Sequence, residues 1–166
     1  MRMKKKEQES QDLLFALISG GRRSDRELGR VLGVSQPTVT RKRGNLEREG
    51  LIREYTIIPD LLKMGYDFIA ITFLSFSESR PELFEQAREW TKKQTCVIFA
   101  ANGEGLLKDS CMVSVHKDYG SYSKLMTHLR RDWQPNLKEA ESFIISLARP
   151  DLLVKPFSFR YLEANK

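Results

Sequence analysis

Residues 24–52 read SDRELGRVLGVSQPTVTRKRGNLEREGLI, and the punctuation of this stretch decides the N-terminal fold. Ser24 with Glu27 three residues on is a capping box, in which the hydroxyl accepts from a free first-turn amide and the carboxylate reaches back to the cap. A helix is expected to start there. Leu28, Val31 and Leu32 recur at i, i+3 and i+4 and give it one apolar stripe, and Gly33 supplies the left-handed residue that ends it. Val34 is then the buried turn residue. Ser35 is a second N-cap, Pro37 stands in the first turn where its missing N–H costs nothing, and the helix runs to Gly50. Two helices joined by a three-residue turn with glycine form a helix-turn-helix, whose second helix enters the major groove of DNA.

With 100° per residue and Val39 as the core direction, Leu46 returns to the core side of that second helix. Pro37, Arg41, Gly44 and Arg48 fall within about 40° of the opposite face. Glycine in mid-helix costs about 1 kcal/mol relative to alanine, so Gly44 between Arg41 and Arg48 points to a phosphate backbone or base edge that approaches closely. Arg41 and Arg48 are the candidates for base or phosphate contacts. Ser35, Gln36, Pro37, Thr38 and Thr40 would pack against the groove near the helix start, and Lys42 and Arg43 would add charge toward the DNA backbone. Arg43 lies only about 40° from Val39, so its stem is expected to run along the core. The plainer reading of Arg41, Lys42 and Arg43 is a solvated charge run; the agreement of the flanking caps favours the groove.

The run LGVSQPTVTRKRGNLEREGLI (32–52), followed by REYTIIPDLLKMGYDFIAITFL (53–74), resembles the Lrp/AsnC family of prokaryotic transcription regulators over most of the chain. The resemblance implies a helix-turn-helix, a short β-connection and a ligand-sensing domain of ferredoxin-like fold. Double-stranded DNA and further copies of the chain, in a homodimer or an octamer, are the partners it implies.

The 166 residues are 40% hydrophobic and carry a formal charge of +6. That suffices for one domain or two small ones. Residues 1–60 hold 13 basic and 9 acidic residues against 15 and 13 in the remainder, so the excess sits with the helix-turn-helix. No apolar run approaches a membrane span, and the start, MRMKKKEQES, lacks the apolar region of an export signal. A cytoplasmic protein without membrane contact is expected.

Residues 1–7 read as a frayed basic arm, and Leu13, Leu14, Leu17 and Ile18 mark a supporting helix over 8–18 closed by Gly20-Gly21. LIREYTIIPD, residues 51–60, reads as a short strand or wing, which completes a winged helix-turn-helix DNA-binding domain over 1–60. In 61–166, FIAITFLSF (68–76) reads as a strand buried on both faces. Ser79 with Glu82 caps a helix to about residue 93, and 96–101 and 110–116 read as strands around a glycine loop. Asp118 caps a second helix, and 142–147 is the last strand. The order is βαββαβ, the ferredoxin-like arrangement, so the fold class is α+β. The tail alternates Phe157, Phe159 and Tyr161, as an extra edge strand would, and the uncovered sheet face calls for self-association.

Little here supports catalysis, and no cofactor, metal or catalytic residue is assigned. In the hairpin Cys96 lies opposite about residue 115, so Cys111 is roughly 13 Å along the strand and beyond disulfide reach. His116 and His128 have no ligand set, and Glu139 and Glu141 read as a solvated turn. Asn102-Gly103-Glu104-Gly105 lacks the Lys and Ser/Thr of a phosphate loop. In the resembled family the corresponding hairpin carries Gly followed three residues later by Asp and lines an amino-acid effector site between dimers. Here Leu106 stands in that third place and Asp109 is the nearest acid, leaving Gly103 and Glu104 as the effector candidates. The rival readings on this architecture are a siroheme-decarboxylase-like enzyme and an effector-binding assembly module without DNA binding. The former should lose the caps and basic face that Ser24, Glu27, Ser35, Arg41 and Arg48 retain.

Overall fold

The computed structural model describes residues 2–78 and 81–165, with side chains for 8–78, 82–149 and 151–162. The chain divides into two units, Met1–Ile58 with Pro156–Lys166, and Pro59–Lys155.

The first unit is built on α1 (Arg2–Ser19), α2 (Asp25–Leu32) and α3 (Gln36–Arg48). The segment read as a frayed arm is continuous with α1 from Arg2 onward. The capping box forms as the spacing predicts: Ser24 N–H donates to Glu27 Oε2 at 2.7 Å, and Glu27 N–H donates to Ser24 Oγ at 3.3 Å. Gly33 is left-handed at φ 66°, and Ser35 Oγ accepts from Thr38 N–H at 3.4 Å. Leu13, Ala16, Leu17, Leu28, Val39 and Leu46 form the core, with Leu14, Leu32, Val34 and Ile52 against it.

Val31 departs from the expected stripe and is 61% exposed. In the eight-residue α2 the buried residues are Leu28 and Gly29. Val31 lies 60° from Leu28 on the side away from Gly29, and only Leu32 turns back toward the core. Gly29 itself is a packing residue. Val34 N–H donates to Gly29 O at 2.9 Å, and a Cβ at position 29 would lie 2.7 Å from Val34 O. The helix thus sits against the turn at a distance no side chain fits.

The strand expected after Gly50 does not form. Residues 52–60 are irregular, with Tyr55, Ile57 and Ile58 exposed; an extended segment becomes a strand only by hydrogen-bonding to another, and no pairing is made among the described residues. The tail differs too. It forms 3-10 turns at Pro150–Leu152 and Phe159–Asn165 instead of an edge strand, and the second of these lies against α1. Phe157 and Phe159 stack edge to face on each other, with centroids 5.1 Å apart. Residues 156–166 therefore group with the first unit, whereas the sequence assigned them to the second domain.

The second unit follows β1 (Phe68–Phe76), α4 (Pro81–Lys92), β2 (Val97–Gly105), β3 (Lys108–His116), α5 (Tyr119–Trp133) and β4 (Leu137–Ser146). All strand pairs are antiparallel in the order β2-β3-β1-β4, the ferredoxin-like topology. The Ser79 cap of α4 lies outside the described residues, while Asp118 caps α5 as expected, its Oδ1 accepting from Ser121 N–H at 2.6 Å. Leu74 and Met112 meet Leu125, Met126, Leu129 and Trp133 of α5 on the helix side of the sheet. β1 is not buried on both faces: Phe68, Ala70, Thr72 and Leu74 are buried, but Ile69, Ile71 and Phe73 are only half-buried. The register aligns Phe99, Val113, Ile71 and Phe143 in one row across all four strands of that second face, with Phe99 54% and Phe143 66% exposed.

Candidate nucleic-acid interface

α3 presents two kinds of polar residue, and burial separates them. Gln36, Pro37, Thr40, Arg41 and Arg48 are exposed and Thr38 and Gly44 half-buried, along a helix whose first turn holds no acidic residue. Its positive N-terminal end, capped by Ser35, thus carries no carboxylate from its own first turn. Arg41 makes no ion pair or hydrogen bond among the described residues. Among the described residues Arg48 donates to the neutral Asn45 side-chain oxygen and to no carboxylate. Among the described residues, and apart from the helix's own neighbouring backbone, nothing lies within 4 Å of a Cβ built on Gly44, so the close approach that glycine permits is not used by the described fold.

Three of the sequence candidates are engaged inside the unit. Lys42 Nζ lies 2.6 Å from Glu9 Oε2, with only 11% of its side chain exposed, and so ties α3 to α1. Arg43 Nη2 lies 2.6 Å from Asp25 Oδ1. That contact is ionic but not aligned along an N–H, since Arg43 Nε and Nη2 stay without a hydrogen bond. The Arg43 guanidinium also sits over the Tyr55 ring at 5.9 Å. Tyr55 O–H donates to Glu47 Oε1 at 2.6 Å, and partial desolvation of the phenol oxygen together with that acceptor raises the phenol above its usual range. Thr40 Oγ1 donates to Asp25 Oδ2 at 2.7 Å. Asp25 thereby gathers Thr40 and Arg43 and locks α2 to α3. Ser35, Gln36, Pro37, Thr38, Arg41, Gly44 and Arg48 remain as the outward set.

Reading α3 alone passes over four further cations of this unit. Arg22, Arg23 and Arg26 are exposed around the start of α2, flanking the Ser24 cap, and Arg30 is exposed in its last turn. The signal was the basic pair directly before the cap, which adds to the positive field of the unit.

In the second unit the effector candidates Gly103 and Glu104 lie exposed near the end of β2. Asp109, the nearest alternative acid, is committed: its Oδ2 accepts from Phe76 N–H at 2.7 Å. A cavity of about 650 Å³ lies elsewhere, between α4 and the sheet, walled by Leu83, Phe84, Ala87, Trp90, Val97 and Met112, and neither Gly103 nor Glu104 lines it. Among the described residues no helix is long and apolar enough to cross a membrane.

Residues 10–53 match the winged helix-turn-helix DNA-binding family. An uncharacterised HTH-type transcriptional regulator of Pyrococcus horikoshii is 32% identical over 73 residues, covering 44% of this chain and 49% of that protein. The HTH-type transcriptional regulator LrpA of Pyrococcus abyssi is 35% identical over 78 residues, covering 46% and 53%. The chain thus spans about half the length of these curated relatives. Solved structures extend the likeness of fold. Escherichia coli AsnC superposes with a TM-score of 0.69 at 16% identity, over 83% of this chain and 90% of that one. The chain resembles the Lrp/AsnC family. A second structure of this kind, a Neisseria meningitidis transcriptional regulator in complex with L-Met, gives a TM-score of 0.72 at 18% identity, over 82% and 87%. The Lrp/AsnC architecture of helix-turn-helix and ferredoxin-like sheet is the one observed here.

Proposed function

We propose that this chain is a sequence-specific DNA-binding transcription regulator of Lrp/AsnC type, acting as a homodimer or a larger assembly up to an octamer. In this reading the helix-turn-helix unit of residues 1–60 places α3 in the major groove. The ferredoxin-like unit joins the copies and takes a small-molecule effector.

The observation that carries the reading is the division of labour on α3. Lys42 and Arg43 are paired with Glu9 and Asp25, while Arg41 and Arg48, on either side of Gly44, face outward with no carboxylate partner among the described residues. A helix built only to be solvated gains nothing from leaving those two cations unpaired around a glycine that weakens it. Two copies would read half-sites about 34–36 Å apart. The apolar row Phe99, Val113, Ile71 and Phe143 supports self-association, because an exposed sheet face of that kind is covered in water by a like surface. An effector would meet Gly103 and Glu104. No reaction is proposed, because the intact caps and basic face support a DNA reader.

Selection of bound sequences from random duplex DNA tests the proposal. Enrichment of a site with two half-sites is expected, and Arg41→Ala should weaken binding to it by about 1–3 kcal/mol if Arg41 reads a base. Failure to enrich any sequence would remove the reading.

A further inference from the structure

The two helices of the second unit cover the sheet unequally. α5 buries Leu125, Met126, Leu129 and Trp133. α4 turns Leu83, Ala87 and Trp90, at i, i+4 and i+7, toward the same core, yet each is only half-buried. Ala100, which pairs with the buried Met112 on the helix side of the sheet, is exposed. A helix free to settle would close such a gap, because apolar walls without contacts forfeit both burial and dispersion. α4 is pinned at its C-terminal end instead. Trp90 Nε1 donates to Asp132 Oδ2 of α5 at 2.9 Å, and just past the helix Val97 N–H, at the start of β2, donates to Gln94 O at 3.0 Å. What remains is the cavity of about 650 Å³, within the range of small-molecule sites.

Its walls set the chemistry of what fits. The apolar part is rich in rings: Phe76 and Trp133 meet edge to face with centroids 5.7 Å apart, and α4 adds Phe84 and Trp90. The charged part is balanced, two cations against two anions, and engaged. Arg88 pairs with Glu85 and Lys92 with Glu89, Asp109 accepts from Phe76 N–H, and Glu78 has a partner of its own. The groups left open are neutral. Asn102 and Ser110 are register partners on β2 and β3, and among the described residues their side chains make no hydrogen bond. Amide and hydroxyl each donate and accept. From this we infer that the space between α4 and the sheet binds a neutral, flat aromatic molecule with one hydrogen-bonding group, of the phenol or indole kind. Its ring meets the aromatic walls by face or edge, and the Asn102–Ser110 corner takes its hydroxyl or ring N–H. A zwitterion is disfavoured by the same walls, since its ammonium and carboxylate would lose water without a free counter-charge. Neither Gly103 nor Glu104 lines this space, so it is a ligand site apart from the one proposed at the hairpin and opposite to it in chemistry.

This goes beyond the DNA-binding reading, and its test uses no DNA, so its failure leaves that reading untouched. Phe99 of the apolar row also reaches the edge of the cavity, so binding is measured on the full chain in the assembly it forms. Both tryptophans of the chain, Trp90 and Trp133, line the space and report its occupancy. The probe is N-phenylnaphthylamine, neutral and aromatic, and the control is anilinonaphthalene sulfonate, the same rings with an anion. The neutral dye should quench tryptophan emission saturably at one dye per chain, and the sulfonate should bind about tenfold more weakly or worse. Indole should displace the dye, whereas L-tryptophan, the same ring on a zwitterion, should need about a hundredfold more. Ala87→Phe fills the space and should abolish dye binding. Ser110→Ala should weaken naphthol about fivefold and leave naphthalene unchanged; this variant decides the question if the larger substitution impairs folding. The inference is overturned by an absence of saturable quenching, by one dye per two chains, or by equal binding of the sulfonate. Equal displacement by L-tryptophan, a folded Ala87→Phe chain that still binds the dye, or unchanged naphthol affinity in Ser110→Ala overturns it as well.

Discussion

Replacing Gly44 by alanine should move stability and DNA affinity in opposite directions. Gly44 sits inside the 13-residue α3, its backbone is not in the left-handed region, and an added Cβ meets nothing within 4 Å among the described residues outside the helix's own backbone. The chain alone therefore has no objection to a methyl group there. Alanine in place of glycine in a helix interior gains about 0.8–1 kcal/mol, which for a chain of this size raises Tm by about 2–4 °C. With α3 in the groove, the same methyl occupies space between Arg41 and Arg48 that the duplex uses. Overpacking of a closed contact costs about 1–3 kcal/mol, or a loss of about 5- to 150-fold in affinity. Calorimetric melting of the free protein and fluorescence anisotropy on the selected site, at one fixed salt concentration, measure the two effects side by side. A variant that is more stable and binds DNA as tightly as the parent would show that nothing approaches the helix at residue 44. A variant that is less stable would show that the fold itself needs the glycine.

Gly29→Ala should behave in the contrary way, because its Cβ would stand 2.7 Å from Val34 O; a loss of about 1–3 kcal/mol in urea unfolding is expected, and a neutral result would mean the turn yields freely. His116 is buried, with Nε2 2.8 Å from Ser114 Oγ and Nδ1 unpartnered, between the Phe68 and Tyr122 rings. Burial holds its pKa below the ordinary histidine value and Asp118 pulls it only partly back, so the unfolded chain takes up the proton first. Stability is then full above about pH 6.5 and declines as pH falls from there toward the folded pKa, by at most about 1.4 kcal/mol per unit; urea midpoints that do not fall between pH 7 and 5, or that fall equally in His116→Gln, would contradict this. Thermal-shift screening of the twenty amino acids at millimolar concentration should give no stabilisation, because Asp109 already accepts from Phe76 N–H and Glu104 lies exposed, where a single ammonium contact is worth little. A site with Kd a hundredfold lower than the ligand concentration would add about 2.7 kcal/mol, so a clear shift lost in Glu104→Ala would show that the hairpin does hold amino acids.

What the sequence yielded is what short-range chemistry controls. The Ser24 and Ser35 caps, the left-handed Gly33 and the βαββαβ order are each set within a few residues, and each stands where the spacing put it. What it withheld depends on partners far along the chain. Lys42 and Arg43 look like two more groove cations until Glu9, 33 residues away, and Asp25 are brought against them. The same holds for Gly29, whose need for glycine comes from a turn carbonyl that no helical wheel contains. Val31 was misplaced because three residues at helical spacing define an arc, while the neighbours decide which side of it is covered. The expected strand at 52–60 and the expected edge strand in the tail share one cause: alternation describes a segment ready to pair, and pairing needs a second segment that periodicity does not supply. At the hairpin the local signal, Asn102-Gly103, named one turn and the strand register imposed another.

The placement of residues 156–166 with the first unit makes that unit a discontinuous body, interrupted in sequence by the whole of the second. On a ribosome the three helices emerge early, but the segment that lies against α1 follows only after the entire sheet has been made. N-terminal domains as a rule fold while synthesis continues; here α1 waits for its last neighbour, and a fragment cut after the helix-turn-helix would be an unfinished form of the unit it is meant to represent.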